Sequence, residues 1–268
     1  MPDPITTLGV GAVAAYLGKD GLEKLLGPTA DYLGGGLKDF TQKRMEAVGR
    51  IFVSAQGKLG NKTDHPGEVP PKVLKAVINE GSYSNDSLAV EYFGGILASA
   101  RTEGGRDDRG ARLAKMVDSL STYQLRAHYL IYATVRKLFL DKSIDFDWDG
   151  RPQMQIFIPI DSFIDTMAFD ESELTQFLQL LEHILFGLES DYLIQNNWRS
   201  GSRDSIIDCF PKADSDGIVI QPSVPGVHLF LAAFGLGEKL PNYIFDPKFP
   251  TGPEGMPDGF PNAVATHV

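Results

Sequence analysis

Cysteine is nearly absent from this 268-residue chain: there is one, Cys209. A single thiol excludes an intramolecular disulfide and any zinc site built on two or four thiolates. It also fits a reducing compartment. In the run SIIDCF it reads as a small, half-buried side chain. Histidine is equally sparse. The five, at positions 65, 128, 183, 228 and 267, never pair at metal-ligand spacing. No basic segment precedes the first apolar stretch, so no secretory signal is expected. That stretch, Ile5 to Gly18, is uncharged for 14 residues, short of the roughly 20 a spanning helix needs. It reads as a buried helix, and contact with a membrane through residues 5–18 stays open as an alternative. There is no nucleophile elbow, no Ser–His–acid set linked by spacing, and no internal repeat.

Positive charge is scarce in one half only. Residues 1–140 carry 18 Lys and Arg against 15 Asp and Glu, net +3, whereas residues 141–268 carry 7 against 20, net −13. An acidic half of this kind repels phosphate backbones, so nucleic acid is not an expected partner. It suits a basic protein partner, including the front half of a second copy. Apolar residues make up 43% and charged residues 22% of the chain, enough for a core without metal or disulfide support.

The front half is helical in pattern. Leu22, Leu25 and Leu26 follow i, i+3, i+4 spacing, as Met45, Val48 and Phe52 do later, with Gly34, Gly35 and Gly36 between the two runs. Residues 58–71, KLGNKTDHPGEVPP, are a polar connection. A helix then starts at Pro70 or Pro71, with Val73, Leu74, Val77 and Ile78 as its stripe. Asp86 or Asn85 caps the next one, in which Leu88, Tyr92, Leu97 and Ala98 face inward with Ile96 nearby. Its middle holds two glycines, Gly94 and Gly95, each costing roughly 1 kcal/mol of helix propensity. Bare positions on two adjoining sides of a helix predict a close backbone neighbour. The LGGGL segment at 33–37 and a second protomer are both candidates. RTEGGRDDRG, 101–110, is a charged loop. Its Arg101, Arg106 and Arg109, with Arg112, offer an anion contact that Glu103, Asp107 and Asp108 largely cancel. Ser121 and Gln124 have capping-box spacing and open an apolar helix that holds His128 as a core or interface residue.

In the acidic half, Ile144, Phe146 and Trp148 alternate with Asp145, Asp147 and Asp149, and Met154, Ile156 and Ile158 alternate after DGRP. The pattern predicts a hairpin. The same aspartates with Gly150 imitate the start of a calcium loop. However, Ile156 stands where the twelfth-position glutamate belongs and Pro152 fills the eighth position, so no metal is expected. GVGAVA near residue 9 lacks the flanking strand and βαβ unit of a dinucleotide fingerprint, and no cofactor is expected. A short helix over 161–169 precedes a longer one over 170–190, with Asp170 and Glu173 capping it and Leu174, Phe177, Leu178 and Leu181 on one stripe. DYLIQNNW, SIIDCF and GIVIQPS read as strands, and VPGVHLFLAAFG as a last helix. The Pro- and Gly-rich residues from 241 onward read as a tail, disordered or laid over a partner.

Three of these segments together resemble the Abi-alpha (abortive infection alpha) family of bacterial domains. They are LGPTADYLGGGLKDF, then EVPPKVLKAVINEGSYSNDSLAVEYFGGILASA, then HILFGLESDYLI with GIVIQPSVPGVHLFLAAFG. The resemblance runs over about residues 20–235, is closest over 67–101, and departs at Gly94 and Gly95, where larger residues are expected. It implies a mainly α protein in which a helical N-terminal region precedes an α+β, winged-helix-like C-terminal region. The expected segments are a glycine-rich helical region over 1–57, a helical core over 67–140, an acidic winged-helix-like region over 141–240 and a tail over 241–268. The implied role is non-enzymatic defence against bacteriophage, in the cytoplasm, through oligomer, partner or membrane contacts. The alternative is a nucleic-acid-binding regulator that uses the winged-helix-like module.

Overall fold

Helix α1 (Gln42–Leu59) forms because Met45, Val48, Phe52, Ala55 and Leu59 recur on one face, and all five are buried. In the computed structural model the described residues are 24, 42–84 and 86–266. The segment at 5–18, Leu22, Leu25, Leu26 and Gly34–Gly36 lie outside them. Pro71 opens α2 (Pro71–Gly81), where its missing N–H costs nothing, and Val73, Leu74, Val77 and Ile78 are buried as expected. Asp86 caps α3 (Ser87–Ala100) by accepting from the Ala89 amide at 2.9 Å. Almost every residue of α3 is buried, which makes it the central helix of its unit. It packs on α1, α2 and α4 (Gly110–Ser119).

The chain divides into two compact units. One groups the chain up to Ser119 with Leu231–Glu238, and the other groups Leu120–Phe230 with Lys239–Val268. The division falls after Ser119, and a short late segment belongs with the first unit.

The second unit is organised by α5 (Thr122–Phe139). The expected capping box is present: Ser121 and Gln124 satisfy one another's amides at 3.2 and 2.9 Å. Twelve of the eighteen residues of α5 are buried. A small antiparallel sheet has the order β2-β3-β1-β4, from β1 (Ile156–Pro159), β2 (Arg199–Gly201), β3 (Gly217–Ile220) and β4 (Val264–Ala265). Ile156 stands opposite Ile220 and Phe157 opposite Val219. Both faces of β1 and β3 are buried, so these strands read as apolar runs. On one face Phe157, Val219, Ile206, Phe210 and Ala213 form a cluster. The remaining helices are α6 (Ile160–Met167), α7 (Glu171–Leu174), α8 (Phe177–Ser190), α9 (Arg203–Ile206) and α10 (Val224–Ala233), of which α6 and α9 pack on the sheet. The fold is mainly α with one small sheet.

Four expectations are corrected. No hairpin forms over 144–158. Asp147 accepts from the amides of Asp149 (3.1 Å) and Gly150 (2.6 Å), and a Cβ on Gly150 would lie 2.1 Å from the Asp145 carbonyl, so the acidic run closes into a turn. SIIDCF holds a helical turn in place of a strand, and this leaves Cys209 exposed, its thiol donating to the Ile206 carbonyl at 3.1 Å. DYLIQNNW forms only a single bridge, Ile194 to Pro222. The helix over 170–190 breaks at Thr175–Gln176. Leu181, Ile184, Leu185 and Leu188 become the inner stripe, and Leu174 and Leu178 are exposed.

The residues after 240 are an integral part of the second unit. Phe260 donates its amide to Thr134 Oγ1 at 2.7 Å, Arg136 donates to the carbonyl of Ile244, Phe249 stacks on Phe230 at 5.8 Å, and β4 pairs with β1. Apolar anchors at Ile244, Phe249 and Phe260 override the low order that the Pro and Gly content suggests.

Candidate functional site

The glycine pair is explained within the first unit. A Cβ on Gly95 would lie 2.0 Å from the Ala233 carbonyl oxygen, and one on Gly94 would lie 2.4 Å from Ser54 Oγ. Gly95 therefore admits the backbone of residues 232–233, and Gly94 admits α1. Next to Gly94, Lys58 donates to Ser54 Oγ at 2.6 Å, and both donate to Glu91 Oε2. Burial pushes the Lys58 pKa down, against the opposing hydrogen bond and charge of Glu91. A serine beside an amine resembles an activated nucleophile. Here both the amine and the serine hydroxyl donate to the one carboxylate oxygen, so the trio acts as a clasp between α1 and α3.

The four arginines do not converge. Arg101 donates to the carbonyls of Lys62 (3.0 Å) and His65 (2.7 Å), Arg109 pairs with Asp107 at 2.6 Å, and Arg106 and Arg112 are exposed. Among the described residues no group of three His, Cys, Asp or Glu side chains is placed to hold a metal ion. No described helix is long and apolar enough to cross a membrane.

The second unit carries a groove of about 570 Å³, lined by Phe186, Glu189, Ser190, Tyr192, Ile194, Gln195, Asn196, Ser223 and Pro225. Its floor is rigid. Tyr132 donates to the Leu193 carbonyl at 2.8 Å and accepts from the Ser223 amide at 2.9 Å. Ser223 in turn accepts from the Gly226 amide at 3.0 Å, capping α10. His128 Nε2 donates to the Gly226 carbonyl at 3.0 Å, which fixes the tautomer because a carbonyl only accepts. Among the described residues every buried side-chain polar atom has a partner.

The walls of the groove are aromatic and open. Phe186 is 55% exposed and meets Trp198 edge-on at 5.0 Å, and Tyr192 is 72% exposed. Trp198 Nε1 donates to Glu189 Oε2 at 2.7 Å. Helix α8 ends in a Schellman arrangement: the Leu193 amide donates to the Leu188 carbonyl (2.7 Å) and the Tyr192 amide to the Glu189 carbonyl (2.8 Å). Tyr192 fills the left-handed position of that motif, φ 58°, where glycine is usual. A side chain there costs roughly 1 kcal/mol or more. The chain thus keeps an exposed aromatic ring at a position where local energetics favour none. Sequence reasoning missed this groove because it read 191–198 as a strand. The available signal was the dense set of aromatics, Phe186, Tyr192 and Trp198, on a segment otherwise rich in Asn and Gln.

No family model, curated protein or solved structure matches the chain.

Burial of His128 pushes its pKa down to about 3. Because the folded value lies below the unfolded one, the unfolded chain binds the extra proton. This residue's contribution is therefore intact above about pH 6.5 and is lost as pH falls towards 3. The expected cost is up to about 1.4 kcal/mol per pH unit. His128→Gln keeps a donor for Gly226 without titrating. Urea midpoints measured between pH 6.5 and 4 should fall less steeply for that variant than for the wild type.

Proposed function

We propose that the chain is a non-enzymatic effector or sensor of bacterial abortive infection and that it works by docking a protein partner on its second unit. The observation that carries the docking half is the groove of exposed aromatics on an acidic unit, whose 10 basic and 19 acidic residues give it −9 of the chain's −10. Exposed aromatic patches on well-ordered frames mark interaction sites. The defence half rests on the resemblance to the Abi-alpha family over residues 67–101, a stretch that forms α2 and α3. Self-association, and membrane contact through residues 5–18, belong to the same proposal as ways of coupling docking to growth arrest. The winged-helix-like reading of the second unit also belongs here, supported by α8 followed by the antiparallel β2–β3 pair and then α10. Use of such a module on DNA or RNA is disfavoured by the negative charge of the unit.

The test is a phage challenge in a bacterial host at low and high multiplicity. Survival of the culture at low multiplicity, with collapse at high multiplicity, is the expected result. Unaltered plating of every phage in a broad panel, with the native neighbouring genes supplied, would remove the defence reading.

A further inference from the structure

The geometry points to one class of occupant for this groove: a basic peptide segment of a partner protein, anchored by an apolar side chain between Phe186 and Tyr192 with an arginine or lysine against Glu189. The proposal rests on the partner-docking reading above and specifies its chemistry.

Three observations carry it. The first is the wall. Phe186 and Tyr192 present open ring surface to a cleft of about 570 Å³, in which buried Ile194 and Ser223 form a firm base. A cleft of this size takes a few side chains, not a whole helix face. The second is charge. Glu182 and Glu189 lie on α8, Asp191 follows it, and Arg199 is the one arginine or lysine between 182 and 202. The Glu189 carboxylate is positioned by Trp198 through Oε2, and among the described residues its Oε1 takes no hydrogen bond. A preset carboxylate with one oxygen free, bordered by ring faces, suits a guanidinium or ammonium group. Such a group gains both the ion pair and the cation–π contact. The third is Tyr192 itself, held at φ 58°. Strain kept at an exposed aromatic is the pattern of a binding residue retained against local stability.

The full-length chain is tested by fluorescence anisotropy at low salt. The probe is a labelled peptide of sequence Gly-Arg-Arg-Leu-Arg-Arg-Gly. Controls replace its arginines with glutamates or its leucine with glycine. The wild type should bind the basic peptide, bind the glycine control about tenfold more weakly, and ignore the acidic control. Phe186→Ala and Glu189→Gln should each weaken binding about tenfold. Tyr192→Gly separates roles, because it should melt no lower than the wild type and still lose affinity. Binding that is strong but indifferent to all three substitutions would overturn the groove and leave general docking on the acidic unit standing. Absence of any binding would overturn both. Sedimentation provides the other control: a wild-type dimer that Phe186→Ala converts to monomer would make a second copy the occupant and overturn the peptide.

Discussion

Gly95→Ala should destabilise the first unit by about 2 kcal/mol, even though alanine is the better helix former by roughly 1 kcal/mol. The added methyl would stand 2.0 Å from the Ala233 oxygen, 2.3 Å from its carbonyl carbon and 2.4 Å from the Ala232 oxygen. These are backbone atoms and cannot rotate away, so α3 or the end of α10 has to shift within a packed unit. Overpacking of that kind costs about 1–3 kcal/mol, and fixed obstacles put it at the upper end. Two other glycines calibrate the argument. At Gly94 the obstacle is the Ser54 side chain at 2.4 Å, with the Ile51 carbonyl further off at 3.0 Å, so Gly94→Ala should cost less. At Gly57, exposed in α1, no atom lies within 4 Å, so Gly57→Ala should stabilise by up to about 1 kcal/mol. Urea midpoints followed by helical circular dichroism give the order. A Gly95→Ala protein as stable as the wild type would refute close backbone approach as the reason for the pair.

Truncation after Leu240 should unfold the second unit. Removing residues 241–268 strips Ile244, Phe249 and Phe260 from the core, each at most 8% exposed, and β4 from the edge of β1. Burial of one such side chain is worth about 1.5–3 kcal/mol, so the three together supply roughly 5–9 kcal/mol. That is comparable to the whole stability of a typical domain, about 5–15 kcal/mol. Arg136, which donates to the carbonyls of Ile244 and Asp246 and lies over the Phe249 ring at 4.7 Å, would lose these partners too. Rapid proteolysis within 120–230 in the truncated protein is the expected outcome. Resistance equal to that of the full chain would show that the segment is dispensable.

The helices of the first unit and the start of α5 were legible because short-range chemistry decides them. Pro71 at a first turn, Asp86 as a cap and the Ser121–Gln124 box each act within four residues. What failed depended on longer range or on competition between turn and strand. Asp145, Asp147 and Asp149 alternate as a strand face does, but the Asp147 side chain captures two amides and Gly150 completes a turn. The break at Thr175–Gln176 carries no proline or glycine to announce it, and no local signal marks Leu174 and Leu178 beside it as exposed. The Pro/Gly-rich end hides three well-spaced anchors that dock in part on α5 far upstream, as Phe260 to Thr134 shows. The groove was invisible for a related reason. Tyr192 occupies a glycine position, so the end of α8 gives no glycine signal and the following residues look like a strand.

The most direct test of the account is protection by a groove variant. Phe186→Ala alters a 55% exposed side chain and should leave the fold intact, as circular dichroism and the urea midpoint would verify. In the phage challenge the wild type should protect at low multiplicity and the folded, equally abundant variant should not. A variant that protects as well as the wild type would contradict the claim that this protein acts by docking a partner in the aromatic groove.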